Sequence, residues 1–242
     1  MQLRLNPALD PASYARSYAA EKCVQIPNLF EKAIAHELER TLVSLPWRLI
    51  CQNDAEQNIL LTREQIAAMS DEERRGLEDG IRRRAAENLG FTYFTYPMIE
   101  ARLGNWDSGH PIHALTDFLN SSEFIAFAKA LIGEPRLTKI DCHATNYQRG
   151  HFLTRHADEG EKLERRAAYT IGLSRKWEPD WGGLLLFLDE QYNIKRGFTP
   201  RFNVLTVFDG LMEHTVTAVS PFAPAPRLSI AGWFRDDAPA KR

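Results

Sequence analysis

Along the first 135 residues or so apolar positions recur mainly at helical spacing, and beyond Pro135 they alternate; this change of period organises the sequence. In "PNLFEKAIAHELERTLVSL", Leu29, Phe30, Ala33, Ile34, Leu38 and Leu42 fall on one stripe and predict an amphipathic helix. "TREQIAAMSDEERRGLEDGIRRRAAENLG" predicts a helical stretch opening on a Thr62/Gln65 capping box, in which each residue serves the other's backbone N–H. "EFIAFAKALI" predicts another helix, from an N-cap at Ser122 to a C-cap at Gly133. The aromatic run "GFTYFTYPM" between them predicts a strand. After Pro135 come "LTKIDCHATNY", "GHFLTRH", "AAYTIGL", "GGLLLFL", "NVLTVFDG", "HTVTAV" and "RLSIAGWF", separated by Gly, Pro, Asp and Asn clusters with no helical stretch between them. Seven or eight short strands in about 100 residues predict an antiparallel double-sheet barrel of the jelly-roll type.

The expected fold class is therefore α+β, mainly β, a jelly-roll core with supporting N-terminal helices. We expect a single domain over residues 1–242, with 1–135 as a supporting helix and strand layer and 136–236 as the core, because no Gly/Ser or Pro-rich linker separates them. The apolar fraction of 44% and charged fraction of 26% are those of a globular chain. A net charge of −2, with acids and bases interspersed, provides no field for nucleic acid or an anionic membrane. The basic cluster "IRRRAAENLG" contains its own Glu87 and is expected to be a solvated helix face. Cys23, Cys51 and Cys142 are odd in number and far apart, which argues against a disulfide framework or a thiolate zinc site and fits a reducing cytoplasm. The amino-terminal segment has no apolar core of a signal peptide and no run is long enough to span a membrane, so neither secretion nor insertion is expected. The oligomeric state is left open.

The chemistry concentrates in "FLTRHADEG", where His156 and Asp158 are spaced i, i+2 and share one face of a strand. Alone, such a pair is most often a solvated strand end. His214 is the only histidine downstream, and two imidazoles with one carboxylate form the facial triad of non-haem Fe(II) oxygenases, which leaves positions open for a co-substrate and O₂. Arg227 follows thirteen residues later, on what should be the antiparallel return strand. A guanidinium grips a carboxylate bidentately, and among Leu, Ile and Trp it is costly without an anion.

With these residues in place, the sequence resembles the 2-oxoglutarate, Fe(II)-dependent dioxygenases, and within them the prolyl-4-hydroxylase-like branch that includes the hypoxia-sensing prolyl hydroxylases. The resemblance covers about residues 140–236 and rests on "NYQRGHFLTRHAD", "RRAAYTIGLSRKWEPDWGGLLLFL", "FNVLTVFDGLMEHTVTAV" and "RLSIAGWF". It implies a double-stranded β-helix core in which His156, Asp158 and His214 hold the catalytic iron and Arg227 anchors the 5-carboxylate of 2-oxoglutarate. Tyr147 would hydrogen-bond the co-substrate, and Arg165 and Trp233 would lie beside a target proline. Ser229, two residues beyond Arg227 on the same face, could add a hydroxyl. The implied cofactors are Fe(II), 2-oxoglutarate and O₂, with ascorbate as a reductant. The implied reaction is hydroxylation of an unactivated C–H bond with release of succinate and CO₂, most simply on a prolyl residue of a protein or peptide. The alternatives are a hydroxylase of a free amino acid or small metabolite, and a jelly-roll module that binds metal or ligand without turnover.

Two departures accompany the resemblance. The segment "HTVTAVSPFAPAPR" is long, with extra residues expected at a hairpin tip, and Gly172 stands where animal members place a second co-substrate tyrosine. In "DWGGLLLFLD", Gly182 and Gly183 should let backbone approach the site while the apolar run forms a dry wall. Glu159 and Gly160 should begin a loop covering substrate. Asp141 and His143 share the i, i+2 spacing but lack the surrounding motif and are not expected as ligands. His110 and His113 are expected in a loop over the barrel mouth, His151 facing away from His156, and His36 in a packing or surface role.

Overall fold

The computed structural model describes residues 2–53, 57–87, 90–158 and 164–238. The chain runs α1 (Pro11–Glu21), β1 (Cys23–Pro27), α2 (Lys32–Val43), β2 (Arg48–Gln52), β3 (Asn58–Leu61), α3 (Arg63–Ala68), α4 (Asp71–Ala86), β4 (Phe91–Tyr96), α5 (Met98–Leu103), α6 (Ile112–Leu119) and α7 (Ser122–Ile132). It continues through β5 (Lys139–Ile140), β6 (His143–Tyr147), β7 (Phe152–His156), β8 (Arg165–Gly172), β9 (Leu185–Leu188), β10 (Ile194–Phe198), β11 (Val204–Phe208), β12 (His214–Val216) and β13 (Arg227–Arg235). The outcome is the mainly β architecture expected: a curled antiparallel sheet backed by helices.

Local chemistry sets the helix ends. The Thr62/Gln65 capping box is present, but Ser70 and Glu73 form a second one, so the stretch from Thr62 is two helices, α3 and α4, and not one. Between them Met69 is extended (φ −66°, ψ 138°). Helix α7 ends as expected on Gly133 in the left-handed conformation, while its N-cap is Ser121, one residue earlier than expected. The basic cluster on α4 is only partly a solvated face. Arg82 pairs with Glu78 and Asp79 at the surface, whereas Arg84 is buried and donates to the Gln52 carbonyl.

The strands follow the order β1-β11-β8-β13-β6-β4-β7-β12-β9-β10, so β1 and β4 from the amino-terminal half are members of the main sheet. Strands β12 and β13 are not a hairpin, contrary to the expectation for the Pro-rich segment. β12 pairs with β7 and β9, and β13 with β6 and β8. The segment between them is tied across neighbouring loops instead, by hydrogen bonds from Gly150 N–H to Val219, from Val219 N–H to His151 and from Ser220 N–H to Trp181. Along β13 the two faces separate cleanly. Leu228, Ile230 and Phe234 join the large apolar cluster packed by the helices, and Arg227, Ser229, Ala231 and Trp233 line the inside of the curl. Among the described residues no helix is long and apolar enough to cross a membrane.

Candidate metal centre

The register of β12 against β7 places His214 directly opposite His156, and their rings lie 4.2 Å apart, centroid to centroid. Asp158, just past the end of β7, donates its backbone N–H to the Gly210 carbonyl, which turns its carboxylate back over the pair. His156 Nε2 is 3.6 Å from one carboxylate oxygen and His214 Nε2 is 3.5 Å from the other. One ligand atom from each of the three lies within 4.8 Å of the others, and among the described residues this is the one His/Cys/Asp/Glu group so arranged.

The proton positions on both rings follow from their other nitrogens. His156 Nδ1 donates to the Thr154 carbonyl at 2.9 Å and His214 Nδ1 to the Met212 carbonyl at 2.8 Å, because a carbonyl can only accept. Each Nε2 is then left with a lone pair facing the carboxylate, the tautomer a metal requires. Burial and the neighbouring His156 press the His214 pKa down to about 4, so its ring is neutral at ordinary pH. Three convergent electron-pair donors, two of them nitrogen, fit a divalent first-row cation.

The triad opens on a cavity of about 100 Å³ inside the curl. A larger groove of about 440 Å³ lies elsewhere, between α5, α6 and β5, and is lined by none of the triad. At one end of the inner cavity is Arg227, 5% exposed, with its Nε unpartnered and its guanidinium carbon 5.1 Å from the Tyr147 ring centre. Gly183, at φ +62°, packs against the arginine stem: a Cβ there would come within 3.1 Å of Arg227 Cδ. Burial disfavours the guanidinium's charge, and among the described residues that line the cavity the only carboxylate is Asp158 of the triad. A buried, unneutralised arginine facing a cavity is a complement to an anionic ligand.

The other predicted residues fall along the same ladder. β13 pairs with β6 in the register Arg227↔Tyr147, Ser229↔Thr145 and Ala231↔His143. The Ser229 and Thr145 hydroxyls are hydrogen-bonded at 2.6 Å beside Arg227. Tyr147 is buried, and burial raises its hydroxyl pKa. Trp233 lines the other end of the cavity, and the Arg165 guanidinium stacks over its indole at 3.8 Å. Gly172 is explained by packing: a Cβ there would meet the Arg201 carbonyl oxygen at 2.1 Å, so no side chain, tyrosine included, fits. In "DWGG", Gly182 at φ +67° approaches the Ala218 carbonyl, and Leu185 and Phe187 are buried beside the triad. Glu159 and Gly160 lie outside the described residues.

Sequence reasoning missed Tyr93 and Thr145, and it weighed His143 only as a ligand. Tyr93 comes from β4 and stacks on Tyr147 (4.6 Å, 12° between planes). Parity could have found Thr145 and His143, since both share the face of Tyr147 on one strand; nothing local marks Tyr93. Asp141 is engaged elsewhere, by Arg235 at 2.5 Å, and His143 does not belong to the triad group. His113 is not in a loop over the mouth. It lies in the first turn of α6, bonded to the Trp106 carbonyl at 2.8 Å, because Pro111 is the N-cap of that helix. His151 accepts from Gln148 N–H away from the cavity, and His36 stacks on Phe202.

Residues 142–235 match the model of the 2OG-Fe(II) oxygenase superfamily. No curated protein sequence matches the chain. Among solved structures, a prolyl-4-hydroxylase from Pseudomonas putida is similar over 94% of this chain and 99% of its own, at 17% identity and a TM-score of 0.57. A 2OG-Fe(II) oxygenase-family oxidoreductase from Burkholderia pseudomallei is similar over 98% and 96%, at 14% identity and 0.63. A prolyl hydroxylase from Trichoplax adhaerens, solved with a peptide fragment of the hypoxia inducible factor oxygen degradation domain, is similar over 93% and 89%, at 15% identity and 0.61. At such identities the likeness is one of fold.

Proposed function

We propose, from the premise that residues 142–235 form a 2OG-Fe(II) oxygenase domain, that this dioxygenase hydroxylates a prolyl residue in a protein or peptide. Fe(II), 2-oxoglutarate and O₂, when bound, supply the oxidant for an unactivated C–H bond, with succinate and CO₂ released. His156, Asp158 and His214 would hold the iron, oriented by the Thr154 and Met212 carbonyls. Arg227 would pair with the distal carboxylate of 2-oxoglutarate, and Ser229, held by Thr145, would add a hydroxyl. Phe187, Leu185, Phe208 and Val216 keep that chamber dry, which strengthens each charge interaction within it.

The observation that carries the prolyl reading is the Arg165–Trp233 stack at the cavity's other end. An indole face suits the C–H surface of a pyrrolidine ring, and a guanidinium donates to carbonyls beside it. A free amino acid would also bring an ammonium group, and the one acid among the described residues lining the cavity belongs to the triad. Succinate release should therefore be stimulated by proline-containing peptides and much less by free proline. Equal stimulation by the free amino acid would assign the enzyme to small metabolites. Peptide turnover untouched in both Arg165→Ala and Trp233→Ala would remove the prolyl site.

A further inference from the structure

The inward face of β6 carries Tyr147, Thr145 and His143 in succession. The first two stand opposite Arg227 and Ser229, at the anion end. His143 stands opposite Ala231, whose methyl group cannot fill the space across the ladder, and its ring lies 5.9 Å from Trp233. Five of the seven histidines, His110, His113, His151, His156 and His214, have a ring hydrogen bond within the chain. His36 lies 3.8 Å from Glu39. His143 has neither kind of contact among the described residues, although its ring lines the cavity beside Trp233. Partly exposed at the cavity wall, its ring nitrogens are open to a ligand that enters there. Cation binding does not account for it, because among the described residues His143 belongs to no group of convergent metal ligands, and Asp141, two residues away, is held by Arg235. Burial presses the His143 pKa down to about 4, so the ring is neutral.

A neutral imidazole brings one N–H donor. Two other donors beside it, Trp233 Nε1 and Arg165 Nε, are buried without an acceptor among the described residues. Three donors around one end of a cavity call for acceptors on the ligand, and a prolyl residue offers them: its ring nitrogen has no hydrogen, while its flanking amide carbonyls accept. We propose that His143 is a specificity-determining residue that donates a hydrogen bond to an amide carbonyl flanking the oxidised ring. This rests on the prolyl reading above.

The test is anaerobic calorimetric titration of N-acetyl-L-prolinamide into enzyme loaded with Fe(II) and 2-oxoglutarate, with 2-oxoglutarate affinity measured alongside to verify the cavity. His143→Ala should weaken binding about five- to tenfold, the range of one neutral hydrogen bond. His143→Gln, which keeps an N–H, should recover much of it; His143→Phe, which keeps only the ring, should not. Phe binding as tightly as the wild type, Gln binding no better than Ala, or no saturable binding to the wild type would overturn the assignment. If instead Arg165→Ala and Trp233→Ala bind the probe normally, the prolyl reading itself falls; if only the His143 variants do, this inference falls alone.

Discussion

Replacing Arg227 by methionine should make the ligand-free protein more stable while abolishing its response to 2-oxoglutarate. Arg227 is 5% exposed, and among the described cavity-lining residues its guanidinium faces no carboxylate but that of the triad. Burying an ion without a partner costs several kcal/mol even after relaxation, about 3–4 as a working figure. The Tyr147 ring, 5.1 Å from the guanidinium carbon, returns about 1–2 kcal/mol of this. Methionine keeps the stem that packs on Gly183 and removes the charge, leaving a net gain of about 2 kcal/mol, or roughly 4–8 °C in midpoint for a chain of this size. In the wild type, 2-oxoglutarate at a hundred times its Kd should add about 2.7 kcal/mol, roughly 5–11 °C. The assay is thermal unfolding of Fe(II)-loaded protein under anaerobic conditions, with and without 2-oxoglutarate. A methionine variant that melts lower without ligand, or that retains the ligand shift, would refute the assignment of Arg227 as an anion anchor that is a liability when empty.

Other outcomes follow from the same geometry. Thr145→Val removes the 2.6 Å bond to Ser229 with little change of shape, so it should cost about 1 kcal/mol in a denaturant titration and raise the KM for 2-oxoglutarate a fewfold; an unchanged KM would separate this hydroxyl pair from the co-substrate. Gly172→Ala drives a methyl into the Arg201 carbonyl and should cost about 1–3 kcal/mol, and a neutral result would mean that this loop yields freely. His143 and His151 are both held down to about 4 by burial, against about 6.5 when unfolded. Between those values the unfolded chain binds more protons, so stability should fall as pH drops from 6.5 towards 4, by about 1.4 kcal/mol per unit for each ring. Denaturant midpoints that stay flat from pH 7 to 5 would contradict this.

What the sequence made legible was whatever depends on period within one strand. His156 with Asp158, and Arg227 with Ser229 and Trp233, each share a face because side chains alternate, and those groupings stand in the structure. Strand order was not legible, because pairing is decided by contacts between distant segments. Thus β12 and β13, adjacent along the chain, lie on different neighbours, and Tyr93 reaches the cavity only because β4 inserts between β6 and β7. Strand β10 was missed because, at the end of the strand order, it is largely exposed and its "IKRGF" carries little alternation. The role of Arg84 was hidden for a similar reason: a charge on a helix is read as solvated until the carbonyl it serves, here that of Gln52, is known.

The most direct test of the central claim is the visible absorption of the protein with Fe(II) and 2-oxoglutarate in the absence of O₂. A metal-to-ligand charge-transfer band should appear in the wild type and be lost in His156→Ala. Wild-type protein that binds Fe(II) yet stays colourless with 2-oxoglutarate, or a His156→Ala variant with an undiminished band, would contradict a triad that holds iron with its co-substrate.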